Sequence, residues 1–93
     1  MEQAVAIHPR VCERHPELTD EDVLAAWANC LRSSHRSLGT LEDHVALGLD
    51  GKGRAIEMIA VLQPDDSWLI YHAMTPPTQK VLRELGLIDR RRK

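Results

Sequence analysis

Hydrophobic residues recur at helical spacing in the first third of this 93-residue chain. Between Thr19 and Leu31 the apolar positions are three or four residues apart, which predicts an amphipathic helix. Thr19 is placed as the N-cap, and Asp22 has the spacing of a capping box. A weaker helix is predicted over residues 6–15. Pro16 is expected to end it, because the residue before a proline disfavours the helical conformation.

Extended segments dominate the rest of the chain and predict an antiparallel meander. The strand candidates are residues 44–50, 54–63 and 67–75. The polar stretch over residues 32–43 is predicted to be a long loop. A last helix is predicted over residues 77–85, with Gly86 as its C′ glycine. The predicted fold is therefore α+β, with two N-terminal helices, a three-stranded antiparallel sheet and a C-terminal helix.

Composition and charge indicate one globular domain over residues 1–93. Hydrophobic residues make up 43% and charged residues 28%, which is ordinary for a chain with a single core. The formal net charge of −2 argues against binding of nucleic acid by bulk charge alone. Residues 79–93 nevertheless hold six basic and two acidic groups, so a local basic surface is expected. Residues 88–93 are interpreted as a flexible basic tail.

Three features bear on location and cofactors. No segment approaches the ~20 apolar residues of a membrane span, and the N-terminus lacks a secretory pattern. Cys12 and Cys30 are too few for a disulfide framework and are interpreted as buried thiols of a cytoplasmic protein. His8, Cys12 and His15 share one face of the predicted helix but lack a fourth ligand. We therefore predict no metal site and no cofactor.

Two polar residues interrupt the most apolar strand candidates. His72 lies within residues 67–75, and Glu57 lies within residues 54–63. A two-residue turn between these strands would place Glu57 opposite His72, and a three-residue turn would place it opposite Ala73. A Glu–His pair can orient an imidazole as a general base, so both residues are catalytic candidates. The alternative is a buried hydrogen-bonded pair without a catalytic role.

Basic residues near these strands are candidates for holding a phosphate group. Arg54 opens the middle strand, and Lys80 and Arg83 lie three residues apart on the last helix. Arginine can donate two parallel hydrogen bonds to a phosphodiester, and lysine can act as a point charge. The alternative is a solvated helix surface on which Lys80 pairs with Glu84.

Short segments of the chain are similar to a known family. They are RHPELTDEDV at residues 14–23, ALG at 46–48 followed by GRAIE at 53–57, and LIYHAMTP at 69–76. In these segments the chain resembles the BrnT-type and RelE-like toxins of bacterial toxin–antitoxin pairs. The resemblance covers about residues 12–86 and implies a RelE-like fold. The arginine of the family's strand end falls at Met74 here, so that role is unfilled or has moved to a neighbour.

The resemblance implies a small endoribonuclease toxin that is neutralised by an antitoxin protein. Such an enzyme cleaves RNA by attack of the 2′-hydroxyl on the adjacent phosphate, which requires a base and cations. On this chain the matching position for acid–base chemistry would be His72. Arg54, Lys80 and Arg83 would then lie near the phosphate.

A second hypothesis is a non-enzymatic protein-interaction module on the same fold. It would bind a partner through a sheet edge or through the predicted loop over residues 32–43, and a homodimer is one form of it. Unpaired strand edges favour this kind of pairing. The hypothesis predicts an apolar interface and no cleavage of RNA.

Overall fold

A computed structural model of the protein describes residues 4–38 and 41–88. Its elements, in chain order, are β1 (Val5–Ile7), α1 (Arg10–Arg14), α2 (Asp20–Ala28), β2 (Cys30–Leu38), β3 (Leu41–Leu49), β4 (Ala55–Leu62), β5 (Trp68–Met74) and α3 (Gln79–Glu84). The predicted basic tail lies outside the described residues, except for Ile88. Within the described ranges, no helix is both long enough and apolar enough to cross a membrane.

The strands form one five-stranded mixed sheet in the order β1-β5-β4-β3-β2. Strand β1 is parallel to β5, and the other neighbours are antiparallel. The predicted three-stranded antiparallel sheet, and with it the predicted helix arrangement, is therefore wrong. Residues 5–7 pair with β5 instead of opening a helix, so α1 keeps only five residues.

Strand β2 occupies the segment that was predicted to be a loop. Residues 32–38 pair with β3, and Ser34 lies opposite Val45. The sequence of β2 is mostly polar, which suits a strand at the edge of the described sheet, where β3 is its one neighbour. Cys30, at its start, is exposed, which corrects the expectation of two buried thiols.

Helix α2 begins at the predicted capping box. The Thr19 hydroxyl accepts a hydrogen bond from the Asp22 backbone, and the Asp22 carboxylate accepts one from the Thr19 backbone. Val23 and Ala26 are fully buried against the sheet. Leu31 is 60% exposed and belongs to β2, because the helix ends at Ala28.

Side chains alternate between two clusters on opposite faces of the sheet. The α2 face carries Val11, Leu18, Val23, Ala26, Ala46, Ile56, Met58, Ala60, Ile70 and Ala73. The α3 face carries a smaller cluster of Val45, Leu47, Val81 and Leu85. Neighbouring residues such as Val45 and Ala46 belong to different clusters, as the two-residue period of a strand requires.

Helix α2 lies directly against the backbone of β3. A Cβ atom added at Gly48 would fall 1.8 Å from the carbonyl oxygen of Ala26. Only a residue without a side chain permits this approach, so Gly48 sets the distance between helix and sheet.

Candidate functional site

Glu57 and His72 form a close pair on the α3 face. The Nε2 atom of His72 lies 2.7 Å from Oε2 of Glu57. Glu57 is 3% exposed, whereas the side chain of His72 is 32% exposed. The pair therefore joins a buried carboxylate to an imidazole that reaches the surface.

The start of α3 fixes the other oxygen of the Glu57 carboxylate. Oε1 accepts hydrogen bonds from the Thr78 backbone N–H at 2.7 Å and from the Thr78 hydroxyl at 2.9 Å. The Thr78 hydroxyl in turn accepts a hydrogen bond from the N–H of Val81 and caps the helix. Glu57 is thus held on both oxygens, which satisfies a carboxylate that has little access to water.

These bonds assign the hydrogen on the His72 ring. An ionised carboxylate only accepts hydrogen bonds, so Nε2 of His72 carries the hydrogen and donates it to Glu57. Among the residues that the structure describes, none hydrogen-bonds to Nδ1. In the neutral imidazole with this tautomer, Nδ1 is the nitrogen that carries the lone pair.

A β-bulge at Tyr71 brings this pair together. His72 lies opposite Ile59, and the next pair is Ile70 with Ala60, so Tyr71 is an extra residue in β5. Glu57 lies opposite Met74, and neither predicted register is observed. His72 is two residues from Met74 on the same face, so its contact with Glu57 is diagonal.

The bulge also turns Tyr71 toward the α3 face. Its hydroxyl donates a hydrogen bond of 2.6 Å to the carboxylate of Asp43, which is 4% exposed. Burial and this carboxylate raise the pKa of Tyr71 to about 12. Two consecutive residues, Tyr71 and His72, therefore present their side chains on one face.

A bidentate ion pair ties α3 to the edge strand. Nε and Nη2 of Arg36 donate to the two oxygens of Glu84 at 2.6 and 2.5 Å. The hydrogen bond from Arg36 is the main reason that the pKa of Glu84 lies below its usual value. Arg32 adds a hydrogen bond to the Leu85 carbonyl, so the C-terminal end of α3 is also fixed.

Arg54 lies in an ion-pair corner at the start of α2, on the opposite face from His72. Its guanidinium donates to Asp50 at 2.8 Å, to Asp22 at 3.0 Å and to the Glu17 carbonyl at 3.1 Å. Burial would raise the pKa of Asp50, but hydrogen bonds from Arg54 outweigh it and lower that pKa. All three nitrogens of the guanidinium are engaged by the protein itself.

Lys80 and Arg83 are exposed on α3. Lys80 lies two residues after Thr78, close in sequence to the Glu57 anchor. Arg83 donates a hydrogen bond to Gln79 at 3.0 Å. Neither side chain forms a hydrogen bond or ion pair with His72 within the described ranges, so the structure does not join them to the pair.

Sequence reasoning missed a cleft at the β1–β5 edge. We call it the arginine cleft; it encloses about 240 Å³ and is lined by His8, Arg10, Arg14 and Tyr71. It forms because β1 lies beside β5 and places His8 next to Ile70, with α1 following. Arg10 and Arg14 are one helical turn apart, a spacing visible in the sequence, but their position beside Tyr71 depends on the missed strand β1.

A second pocket, of about 260 Å³, lies on the α2 face. The Trp68 ring stands edge-on to His44, with centroids 4.7 Å apart, and packs at 5.7 Å on Trp27. The lining residues are Trp27, Cys30, Ser33, His44, Ala46 and Trp68. None of them is an Asp, Glu, Lys or Arg, so the pocket offers no fixed charge.

The metal half-site considered from His8, Cys12 and His15 is not assembled. Cys12 donates a hydrogen bond to Asp20, and His15 pairs with Glu17 at 3.5 Å. Within residues 4–38 and 41–88, no group of three or more His, Cys, Asp or Glu is placed to hold a metal ion.

We found no match to this chain among protein-family models, curated proteins or solved structures. The resemblance to toxins of toxin–antitoxin pairs therefore stays a prediction.

Proposed function

We propose that the protein is a small endoribonuclease of the toxin type, with His72 as its general base. The observation that carries the proposal is the Glu57–His72 pair. Its buried carboxylate is fully hydrogen-bonded, and its imidazole is partly exposed with Nδ1 available. A carboxylate that fixes the tautomer of a histidine and leaves the other nitrogen open is a common arrangement for a general base.

In the proposed reaction, Nδ1 of His72 takes the proton of a ribose 2′-hydroxyl. The 2′ oxygen then attacks the adjacent phosphorus, and the bond from phosphorus to the 5′ oxygen breaks. The products are a 2′,3′-cyclic phosphate and a 5′-hydroxyl, whose proton comes from water. The imidazolium of His72, stabilised by Glu57, then releases its proton to solvent. Glu57 acts through His72 and is a positioning residue.

The proposed partners are an RNA substrate and an antitoxin protein, in the cytoplasm. Lys80 and Arg83 are proposed to contact the phosphate backbone of the RNA, because both residues lie on α3 and are exposed. Arg54 is the weaker candidate for this role, since its three nitrogens already donate to the protein.

The test is cleavage of a mixed RNA by the purified protein, in EDTA without ribosomes and in a Mg²⁺ buffer with ribosomes. We expect His72→Ala to lower the cleavage rate by about 10²–10⁴-fold, the usual contribution of a general base. His15→Ala is the matched control, because His15 is also partly exposed and pairs with a glutamate, and it should cleave normally. Lys80→Ala/Arg83→Ala is expected to raise KM more than it lowers kcat.

Thermal melts of each variant separate loss of chemistry from loss of folding. Fragments should carry 2′,3′-cyclic phosphate ends. Equal cleavage by wild type and folded His72→Ala would contradict the proposal. Absence of cleavage by wild type, even with ribosomes, would also reject it.

The second candidate is a protein-interaction module, and strand β2 is the observation that favours it. The prediction of a loop over residues 32–43 is wrong, because residues 32–38 belong to β2, a nine-residue strand at the edge of the sheet formed by the described residues. Such an edge can accept a strand from a partner or from a second copy of the chain. A wild-type protein that cleaves no RNA and forms a stable dimer in solution would favour this candidate.

A further inference from the structure

We propose that the arginine cleft binds a phosphate of single-stranded RNA next to the phosphodiester at His72. This inference rests on the proposed function for its ligand and adds a second contact point. Neither Arg10 nor Arg14 was among the candidate residues, and both lie outside the Glu57–His72 pair.

Arg10 and Arg14 differ from the other arginines in the described parts of the chain. Arg32, Arg36, Arg54 and Arg83 each donate a hydrogen bond to a carbonyl or side-chain oxygen of the protein. The guanidinium groups of Arg10 and Arg14 form no such bond and no ion pair with any described residue. Their donors are therefore available to a ligand.

The placement of these two cations favours an anion between them. Arg10 and Arg14 are four residues apart in α1, so they are neighbours on one side of the helix. Like charges at this spacing repel each other, and an anion bound by both removes that repulsion. Guanidinium groups match phosphate because their N–H donors are arranged in a planar fork.

The size of the cleft favours one phosphate over a whole nucleotide. Its volume of about 240 Å³ lies below the ~300–1,000 Å³ that is usual for sites that enclose a complete small molecule. One phosphate group of an extended RNA strand fits a cleft of this size, while the rest of the RNA lies on the protein surface.

Tyr71 connects the arginine cleft to the proposed reaction centre. Its side chain is part of the cleft wall, 40% of the residue is exposed, and the next residue is His72. Because the hydroxyl is held by Asp43, the ring is fixed and offers a surface on which a base can stack. One RNA strand can thus contact His72, Tyr71 and the two arginines in turn.

The test is binding of a fluorescent single-stranded RNA in which every ribose is 2′-O-methyl. This RNA lacks the 2′-hydroxyl and is not cleaved, so binding is measured independently of the reaction. We expect Arg10→Gln and Arg14→Gln each to weaken binding about tenfold. Each should also reduce the slope of log Kd against log salt by about 0.7, the value for one phosphate contact on a single strand.

Lys52→Gln is the charge control, since it also removes one positive charge, from a side chain that is 63% exposed and is not part of the cleft wall. It should change Kd less than twofold if the effect of the arginines is local. Tyr71→Ala should weaken binding without changing the salt slope, because stacking involves no counterion release, while Tyr71→Phe should retain binding.

Two results of these binding measurements would overturn the inference. One is no binding of this RNA by wild type, and the other is equal weakening by Lys52→Gln and the arginine variants. Competition with inorganic phosphate distinguishes a general anion site from an RNA site: phosphate that displaces RNA at equimolar concentration overturns the RNA assignment. Arginine-dependent binding together with absent cleavage of ordinary RNA would retain the cleft and reject only the ribonuclease proposal.

Discussion

The two faces of the sheet are built differently. On the α2 face, ten buried residues pack tightly, and helix and strand backbones touch at Gly48. On the α3 face, four buried residues share the surface with Glu57, His72, Asp43 and Tyr71. The first face contributes most of the apolar burial, and the second holds the polar groups with chemistry.

The charged groups of the two faces differ in whether they leave hydrogen-bonding atoms without a partner among the described residues. The Arg54 corner on the α2 face is closed, because every guanidinium nitrogen has an acceptor within the protein. The Glu57–His72 pair leaves one ring nitrogen without a described partner, on a residue that reaches the surface. Arg54, Glu57 and His72 were all candidate site residues in the sequence. Hydrogen bonds to the protein use all three nitrogens of Arg54 but only one ring nitrogen of His72.

The largest expected effect is a loss of stability when the packing of the α2 face is disrupted. In Gly48→Ala the new methyl group would overlap the Ala26 carbonyl oxygen, and backbone must move. We expect the free energy of unfolding, measured with urea, to fall by about 3 kcal/mol or more. Gly51→Ala is the control, because a Cβ there meets no atom within 4 Å, and it should change stability by less than about 0.5 kcal/mol. Similar free energies of unfolding for the two variants would show that helix and sheet are not in direct contact.

The next effect is on chemistry at the α3 face. In Glu57→Gln the side-chain oxygen can still accept from Thr78, but the amide would donate to Nε2 of His72. The ring hydrogen would then move to Nδ1, and the base would be lost. We expect the cleavage rate to fall by about 10²-fold or more while the fold persists. Nitrogen chemical shifts of the His72 ring should report the change of tautomer.

Glu84→Gln is the control for this variant, because it makes the same chemical change on the same face. Its cleavage rate should equal that of wild type. Unchanged cleavage by a folded Glu57→Gln protein would contradict the role assigned to the pair.

The smallest effect concerns the Arg36–Glu84 ion pair. Because the pKa of Glu84 is lowered in the folded state, its carboxylate stabilises the fold above the usual value of 4.5. That contribution is lost as the pH falls below 4.5 through the folded-state pKa. Glu84→Gln should therefore cost about 1 kcal/mol at pH 7, and the difference from wild type should shrink in acid. A difference that is independent of pH would exclude an ionic contribution.

Local signals in the sequence predicted local features correctly. The capping box at Thr19 and Asp22 is present, and Gly86 has the positive φ of 76° expected after a helix. Strands β4 and β5 fall within their predicted segments. These features depend on neighbouring residues, so spacing and residue type were sufficient.

Features that depend on distant pairing were missed. Strand β1 has three residues, and its parallel partner β5 is about sixty residues away. Strand β2 is polar because it lies at an edge, so its sequence resembled a loop. The Glu57–His72 contact was one of the possibilities considered, but the bulge that produces it has no signal in residue type. The arginine cleft required both β1 and the bulge.

The bulge at Tyr71 shifts the alternation of side chains between the two faces of the sheet by one residue within β5. Deleting that residue would restore strict alternation, and positions on either side of it would then exchange faces relative to each other. A related protein without the bulge would place its equivalent histidine one position away in any alignment. A search for relatives of this site should therefore compare the positions of the imidazole and carboxylate in space.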